Sequence, residues 1–318
     1  MDVQDYVYEV YKQKSFSLAA KKFFVSQPAL SAIVKKVEKS LNVTLFDRST
    51  SPITLTEAGR IYINAVEEMR ALKKRLQEEL NDVCEIRAGS LTVSGENFVS
   101  SFIMPKIIME FSKIYGGIKV ELVESNSPDL RNLLLTDAID LLIAHDFDKK
   151  LYSCEPLFDE MLLLAVPENL DINNRLKDSV LSLEDVKSGK HLKEDCPAVN
   201  LSAFREEEFL ILKKGNDMNR RAQVLCENAG FVPKARINLD QLITSYNMAS
   251  AGMGIAFVTD VLVSSAGGEN CVYYKINDEN ILRRMYVGYK KNRYLSKSCR
   301  AFIEMAKTVY NNKLTDKK

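Results

Sequence analysis

Histidine is nearly absent: His145 and His191 are the only two in 318 residues. No HxxxH, HExxH or Cys/His cluster occurs, so a dedicated metal site has no ligand set to build on. The six cysteines, at 84, 154, 196, 226, 271 and 299, form no CxxC and keep no regular spacing. That pattern reads as reduced thiols, buried or incidental, with a redox-sensing thiol as the alternative. There is no Gly-Lys-Ser/Thr phosphate loop and no Gly-x-Ser-x-Gly elbow, which removes the sequence basis for P-loop and serine-hydrolase chemistry. Ala251-Gly-Met-Gly-Ile255 lacks the third glycine of a dinucleotide fingerprint and follows a helical pattern, so it reads as a tight helix-to-strand turn. No apolar run approaches the ~18 residues of a membrane span, and the acidic start Met1-Asp-Val-Gln-Asp5 has no signal-peptide core. The expectation is a cytoplasmic protein with no catalytic residue, no cofactor, no metal and no membrane partner. Net charge is also missing: 44 Lys/Arg against 43 Asp/Glu leave +1, so the chain as a whole is no polycation.

What is present begins near the N-terminus. Residues 1–60 carry nine Lys/Arg against six Asp/Glu, a modest positive balance that two copies would double. The small pair Ala19-Ala20 lets a second helix pack closely, and a turn is expected at Phe24-Val25-Ser26. Ser26 suits an N-cap, and Pro28 falls in the first helical turn, where its missing N–H costs little. Leu30, Ile33, Val34 and Val37 then share one face, with Gln27, Ser31, Lys35 and Lys39 mostly on the other. A capped helix with a basic outer face and exposed N-terminal residues is what major-groove docking requires. By themselves Lys35, Lys36 and Lys39 would read only as a solvated face.

From Thr56 a long helical pattern follows. Ile61, Ala65, Met69, Leu72, Leu76, Leu80 and Val83 recur in steps of three and four, which describes a coiled-coil seam. A helix over 60–88 spans about 40 Å at ~1.5 Å per residue. A stripe that long is not buried within a 60-residue domain, so pairing with a second copy is the economical solution and packing on the C-terminal half the alternative. Arg87-Ala88-Gly89 ends the pattern. Beyond it strands and helices alternate. Leu91–Gly95, Ile118–Val123 and Ile139–Ile143 read as strands, with helices at Ser101–Phe111 and Asp129–Leu135. Met161–Val166 reads as a strand ended by Pro167, followed by further alternation to a final helix at Lys297–Tyr310 and a polar tail from Asn311. This order argues α/β layers on a mostly parallel sheet. Ligands of such sheets sit past strand ends near helix N-termini. There Asn97, Phe98, Ser100 and Ser101, then Ser127, then His145 follow the first three strands. They suit a small carboxylate or phosphate as effector, although Ser127 serves equally well as a plain cap and Glu96 works against an anion.

Five pieces in order carry a family resemblance: Ser15-Phe-x-x-Ala-Ala20, Ser26-Gln-Pro-Ala-x-Ser31, Val37-Glu-x-x-Leu-Asn42, Leu45-Phe-x-Arg48 and Leu55-Thr-x-Ala-Gly59. The segment resembles the N-terminal domain of LysR-type transcriptional regulators. Val37 and Asn42 stand where the pattern has Leu and Gly, and Asn tolerates the left-handed conformation of a helix end. Ala32 and Ser51 replace frequent basic residues. The resemblance implies a winged helix-turn-helix over 1–58 and a dimerisation helix over 59–88. It then implies a two-lobed α/β effector domain of the type 2 periplasmic-binding-protein fold. Lobe I would comprise 89–163 and 268–303 and lobe II 164–267, with 304–318 as helix end and tail. The crossing strands are expected near Leu164–Pro167 and Ala266–Cys271. It also implies operator double-stranded DNA as partner, bound by a homodimer or homotetramer through Ser26, Gln27, Pro28, Ser31, Lys35, Lys36 and Arg48. A solute-binding protein would lack the first 60 residues, and a two-lobed enzyme would show a reactive constellation.

Overall fold

The computed structural model describes residues 2–83, 89–125 and 127–315. The chain divides into two compact units, one ending at Leu80 and one beginning at Asn81.

In the first unit, helices α1 (Val3–Gln13), α2 (Phe16–Lys22) and α3 (Gln27–Leu41) precede strands β1 (Phe46–Asp47) and β2 (Thr54–Leu55). The strands pair antiparallel as a two-rung hairpin, Phe46 opposite Leu55 and Asp47 opposite Thr54. Ala19 and Ala20 are buried against α3, and Val7, Val10, Leu30, Val34, Leu45 and Phe46 complete the core. Helix α3 ends on Asn42 with φ +54°, its amide donating to the Glu38 and Lys39 carbonyls, the left-handed stop expected of Asn at that position. Helix α4 (Glu57–Val83) starts from Thr56, whose Oγ1 accepts from the Gly59 amide at 2.9 Å. Gly59 is required there: a Cβ would lie 2.0 Å from the Leu45 carbonyl oxygen. Helix α4 buries Ile63 and Val66, while Ile61, Met69, Leu72, Leu76 and Leu80 remain exposed. The expected helix break at Arg87-Ala88 lies outside the described residues.

The second unit has two sheets that share one strand. Its first elements are β3 (Gly89–Gly95), a wide helical turn (Val99–Ile103), α5 (Met104–Ile114), β4 (Ile118–Glu124), α6 (Ser127–Leu135), β5 (Leu141–Ala144) and β6 (Tyr152–Pro167). Then come α7 (Ile172–Arg175), α8 (Leu183–Lys187), β7 (Ala198–Val199), β8 (Glu208–Leu212), α9 (Asp217–Asn228), β9 (Lys234–Leu239), α10 (Leu242–Ser250), β10 (Ile255–Thr259) and α11 (Asp260–Ala266). The chain closes with β11 (Cys271–Ile276), β12 (Leu282–Lys290) and α12 (Lys297–Thr315). The first lobe is ordered β4-β3-β5-β12-β6, with β3 parallel to β4 and β5 and β12 antiparallel to β5 and β6. In the second lobe β10 and β11 flank β6, both antiparallel to it, and β8 and β9 extend the sheet in parallel.

The crossings differ from expectation. Strand β6 changes sheets between Met161, opposite Leu282, and Leu162, opposite Thr259, before rather than within Leu164–Pro167. The second crossing falls between β11 and β12, not at Ala266–Cys271, so residues 271–276 belong to the second lobe's sheet. The apolar run Met161–Val166 marks where β6 is covered on both faces. Its earlier half, Tyr152–Glu160, mixes buried and accessible residues and gives no such run. Helix α12 continues through Asn311 to Thr315, where a tail was expected, because no Gly or Pro stops it.

A candidate DNA-reading face and an inter-lobe cleft

The first turn of α3 is built to be free. Ser26 caps it, its Oγ accepting from the Ala29 amide at 3.3 Å. Leu30, Val34 and Val37 bury the inner face, while Gln27, Pro28, Lys35 and Lys36 are exposed and Ser31 is half-buried. The turn into α3 is made by Phe24, at φ +55° and 97% exposed. Arg48 is not free. Its Nη2 donates to Glu38 Oε2 at 2.8 Å and its Nη1 to Ser31 Oγ at 3.2 Å, with the guanidinium 4.8 Å from the Phe16 ring centroid. Glu38 Oε1 in turn accepts from the Leu45 amide at 2.9 Å. The family pattern flagged Arg48 and Glu38 separately, and nothing in their spacing tied one to the other.

In the second unit a cavity of about 280 Å³ opens between the lobes. Glu96, Arg131, His145 and Asp146 line it from the first lobe, and Gly215, Asn216, Asp217, Asn219 and Arg220 from the second. Asn216 caps α9, its Oδ1 accepting from the Met218 amide at 2.8 Å. Behind the lining lies a buried charge network. His145 Nε2 stands 3.4 Å from Glu160 Oε1, which is 2.5 Å from Arg283 Nε, and Arg283 Nη1 reaches Asp217 at 3.5 Å. Glu160 and Arg283 face each other across β6 and β12, next to the sheet change. Burial, reinforced by the positive charge of Arg283, holds the His145 pKa well below its ordinary range, so this imidazole is neutral at pH 7. Burial pushes the Glu160 carboxyl up against the opposing pull of Arg283. At Asp217 burial also pushes up, but Arg221, Arg283 and Arg220 outweigh it and hold the group at about 2.

Of the five residues expected to meet an effector whose side chains the structure describes, only His145 lines this cavity. Ser100 is buried and its hydroxyl donates to the Gly95 carbonyl at 3.0 Å. Phe98 is buried against Phe102. Asn97 is half-buried and Ser101 is exposed, neither at the cavity wall. Ser127 opens α6, and its side chain lies outside what the structure describes. Arg131, inside α6, Asp146, after β5, and the Gly215–Arg220 segment, at the start of α9, carried no signal in the sequence.

Residues 4–60 match the family model described as "Bacterial regulatory helix-turn-helix protein, lysR family", and residues 85–311 match "LysR substrate binding domain". The chain belongs to the LysR family. It is a LysR-type DNA-binding transcriptional regulator with an effector-binding domain, and not an enzyme. An HTH-type transcriptional regulator of Bacillus subtilis strain 168, YcgK, is 26% identical over 309 residues, 96% of this chain and 93% of that protein. CbnR, solved at full length in complex with its target DNA, superposes with a TM-score of 0.66 at 19% identity, covering 97% of this chain and all of CbnR. The regulatory domain of CcmR from Synechocystis PCC6803, solved with 2-PG, gives a TM-score of 0.57 at 20% identity over 70% of this chain and 98% of that one. At such identities the two structures speak for the fold alone.

Three thiols of this LysR regulator are set against redox sensing. Burial raises the pKa of Cys154, takes Cys271 up to about 11 and Cys226 up to about 12, whereas a sensing thiol needs a lowered pKa. Cys84 lies outside the described residues. Among the described residues no His/Cys/Asp/Glu group is arranged to hold a metal, and no helix is long and apolar enough to cross a membrane.

Proposed function

We propose that the chain binds operator DNA in the cytoplasm as a homodimer or homotetramer and that a small molecule in the inter-lobe cleft tunes this binding. Gln27, Pro28 and Ser31 face base edges, where a Gln amide pairs with adenine, and Lys35 and Lys36 face phosphates. Copies join through the exposed seam of α4. The domain limits proposed are 1–58 for the winged helix-turn-helix, with α4 as linker and the two lobes parting at the sheet changes of β6 and of 277–281. The effector contacts His145, Arg131 and Asp146 on one side and Asn219 and Arg220 on the other. Three carboxylates against two guanidiniums line the cavity, so a polar ligand with both donors and acceptors fits better than a bare anion.

The observation that carries this reading is the polar cavity shared by two lobes that one common strand and one short link connect, because only a ligand touching both lobes gains by fixing their angle. The test is a thermal-shift screen of metabolites on the full chain, repeated with His145→Ala and Asn219→Ala. A hit weakened by both substitutions supports the cleft. A hit indifferent to both places the effector elsewhere.

A further inference from the structure

We propose that Glu38 and Arg48 are positioning residues, a clamp that fixes the wing hairpin to the reading helix, and that Arg48 is not a phosphate anchor. The proposal rests on α3 as the DNA reader. An arginine side chain beside a DNA-reading helix is chemically suited to a phosphate. Here two of its five N–H donors, one on each terminal nitrogen, are already engaged within the protein. One guanidinium nitrogen is bonded to Glu38 and the other to Ser31, and the flat face covers Phe16. Phe16 meets Phe46 of β1 edge-on, with ring centroids 5.8 Å apart.

Glu38 completes the clamp. Its side chain is only 12% exposed. One oxygen accepts from the Leu45 amide at 2.9 Å and lies 3.4 Å from that of Phe46, and the other takes Arg48. A single carboxylate of α3 thereby holds both the entry to β1 and the residue that follows it. The hairpin needs such an anchor, since two strands of two residues do not define their own position. An acid beside DNA also repels phosphate, which makes Glu38 costly unless its local contacts matter more. The pair is internally neutral, so it adds little to counterion release. It has one consequence for readout as well. Because Ser31 Oγ accepts from Arg48, its own proton is left for an outside acceptor such as a purine N7 or a thymine O4.

The experiment measures affinity of the full-length chain for a site selected from random DNA and for unrelated DNA, at several salt concentrations. Glu38→Gln removes a negative charge, and simple electrostatics would tighten all DNA binding. The clamp predicts the reverse for the specific site: specific affinity falls by about tenfold, the size of one lost charge-assisted bond, while non-specific affinity does not fall, so the ratio of the two drops. Arg48→Lys keeps the charge but loses the fork and the planar face. It should lose specific affinity as fully as Arg48→Ala, at constant slope, and Glu38→Gln/Arg48→Lys should be no worse than either single change. Tighter binding of the specific site by Glu38→Gln overturns the proposal. So does Arg48→Lys behaving as wild type while Arg48→Ala lowers the slope by about 0.9, or a lowered melting temperature with specific affinity intact. Should Glu38→Gln unfold the first unit, Arg48→Lys decides alone. Lys35→Ala reports separately on the reader: if it leaves affinity and slope unchanged, the assignment of α3 fails, whatever the clamp variants show.

Discussion

His145 refuses a proton that a solvent-exposed histidine would take near pH 6.5. The groups facing it are Glu160, Arg283, Asp217 and Arg221. Its folded pKa is depressed, so below pH 6.5 the unfolded chain binds a proton that the folded chain does not. Stability is therefore lost as pH falls, by about 1.4 kcal/mol per unit until the folded pKa is reached. Glu160 has the opposite sign: its pKa is raised, so its contribution to stability is fully present below its ordinary 4.5 and is lost as pH rises through the folded pKa. Thermal melts between pH 7 and pH 5.5 should show a steeper decline for wild type than for His145→Asn; parallel declines would mean that His145 titrates normally. Ser100 makes a complementary case. Its sequence position suggests a ligand contact, but its hydroxyl is committed to the Gly95 carbonyl. Ser100→Ala should lower stability by about 1 kcal/mol and leave effector affinity untouched, which paired melting and titration measurements check. At Gln27 the expectation is directional: Gln27→Ala lowers the ratio of specific to non-specific affinity, and Lys35→Ala weakens both and flattens the salt slope by about 0.9. Gel shifts on the two DNA classes separate these outcomes.

Helix α4 shows which elements the sequence makes legible. Its seam follows from spacing, since steps of three and four put Ile61, Met69, Leu72, Leu76 and Leu80 on one face, and all five are exposed in the single chain. Replacing Leu72 and Leu76 together by Asp places two charges in that seam, costing several kcal/mol in a paired helix. Sedimentation should then give monomers and operator binding should fall; an unchanged oligomer would show that the seam is not the interface. Helices α2 and α3 were equally readable, because caps and breakers are local: Ser26, Thr56 and Asn42 act where their chemistry places them, whereas α1 was not read from the sequence. Strand β6 was only half readable. Leu162–Val166 is buried on both faces and forms an apolar run, whereas Ser153, Cys154, Glu155, Asp159 and Glu160 interrupt any pattern in the first half. The crossing was displaced for the same reason. The Glu38–Arg48 clamp was not readable at all, because it joins residues ten apart in sequence through a fold that no local period encodes.

For the whole molecule, alternation of strands and helices was enough to indicate two α/β lobes, and the short motifs enough to indicate a DNA reader. The cleft lining was not, because Arg131, Asp146 and the Gly215–Arg220 segment come from distant parts of the chain and meet only once both sheets are built. An effector that fixes the lobes should shift operator affinity by about 1–3 kcal/mol, and the operator should shift effector affinity by the same factor. Titrating effector with and without operator tests that reciprocity, and an effector affinity indifferent to DNA would deny the coupling. The most direct test of the account is footprinting of the full-length chain on the DNA upstream of its own coding region, with wild type and Gln27→Ala side by side and with each metabolite hit added. The account predicts protection of two related half-sites by wild type, loss of that pattern in Gln27→Ala, and a change in its extent with effector. Protection of a single unpaired site, or a wild-type footprint that Gln27→Ala reproduces unchanged, would contradict it.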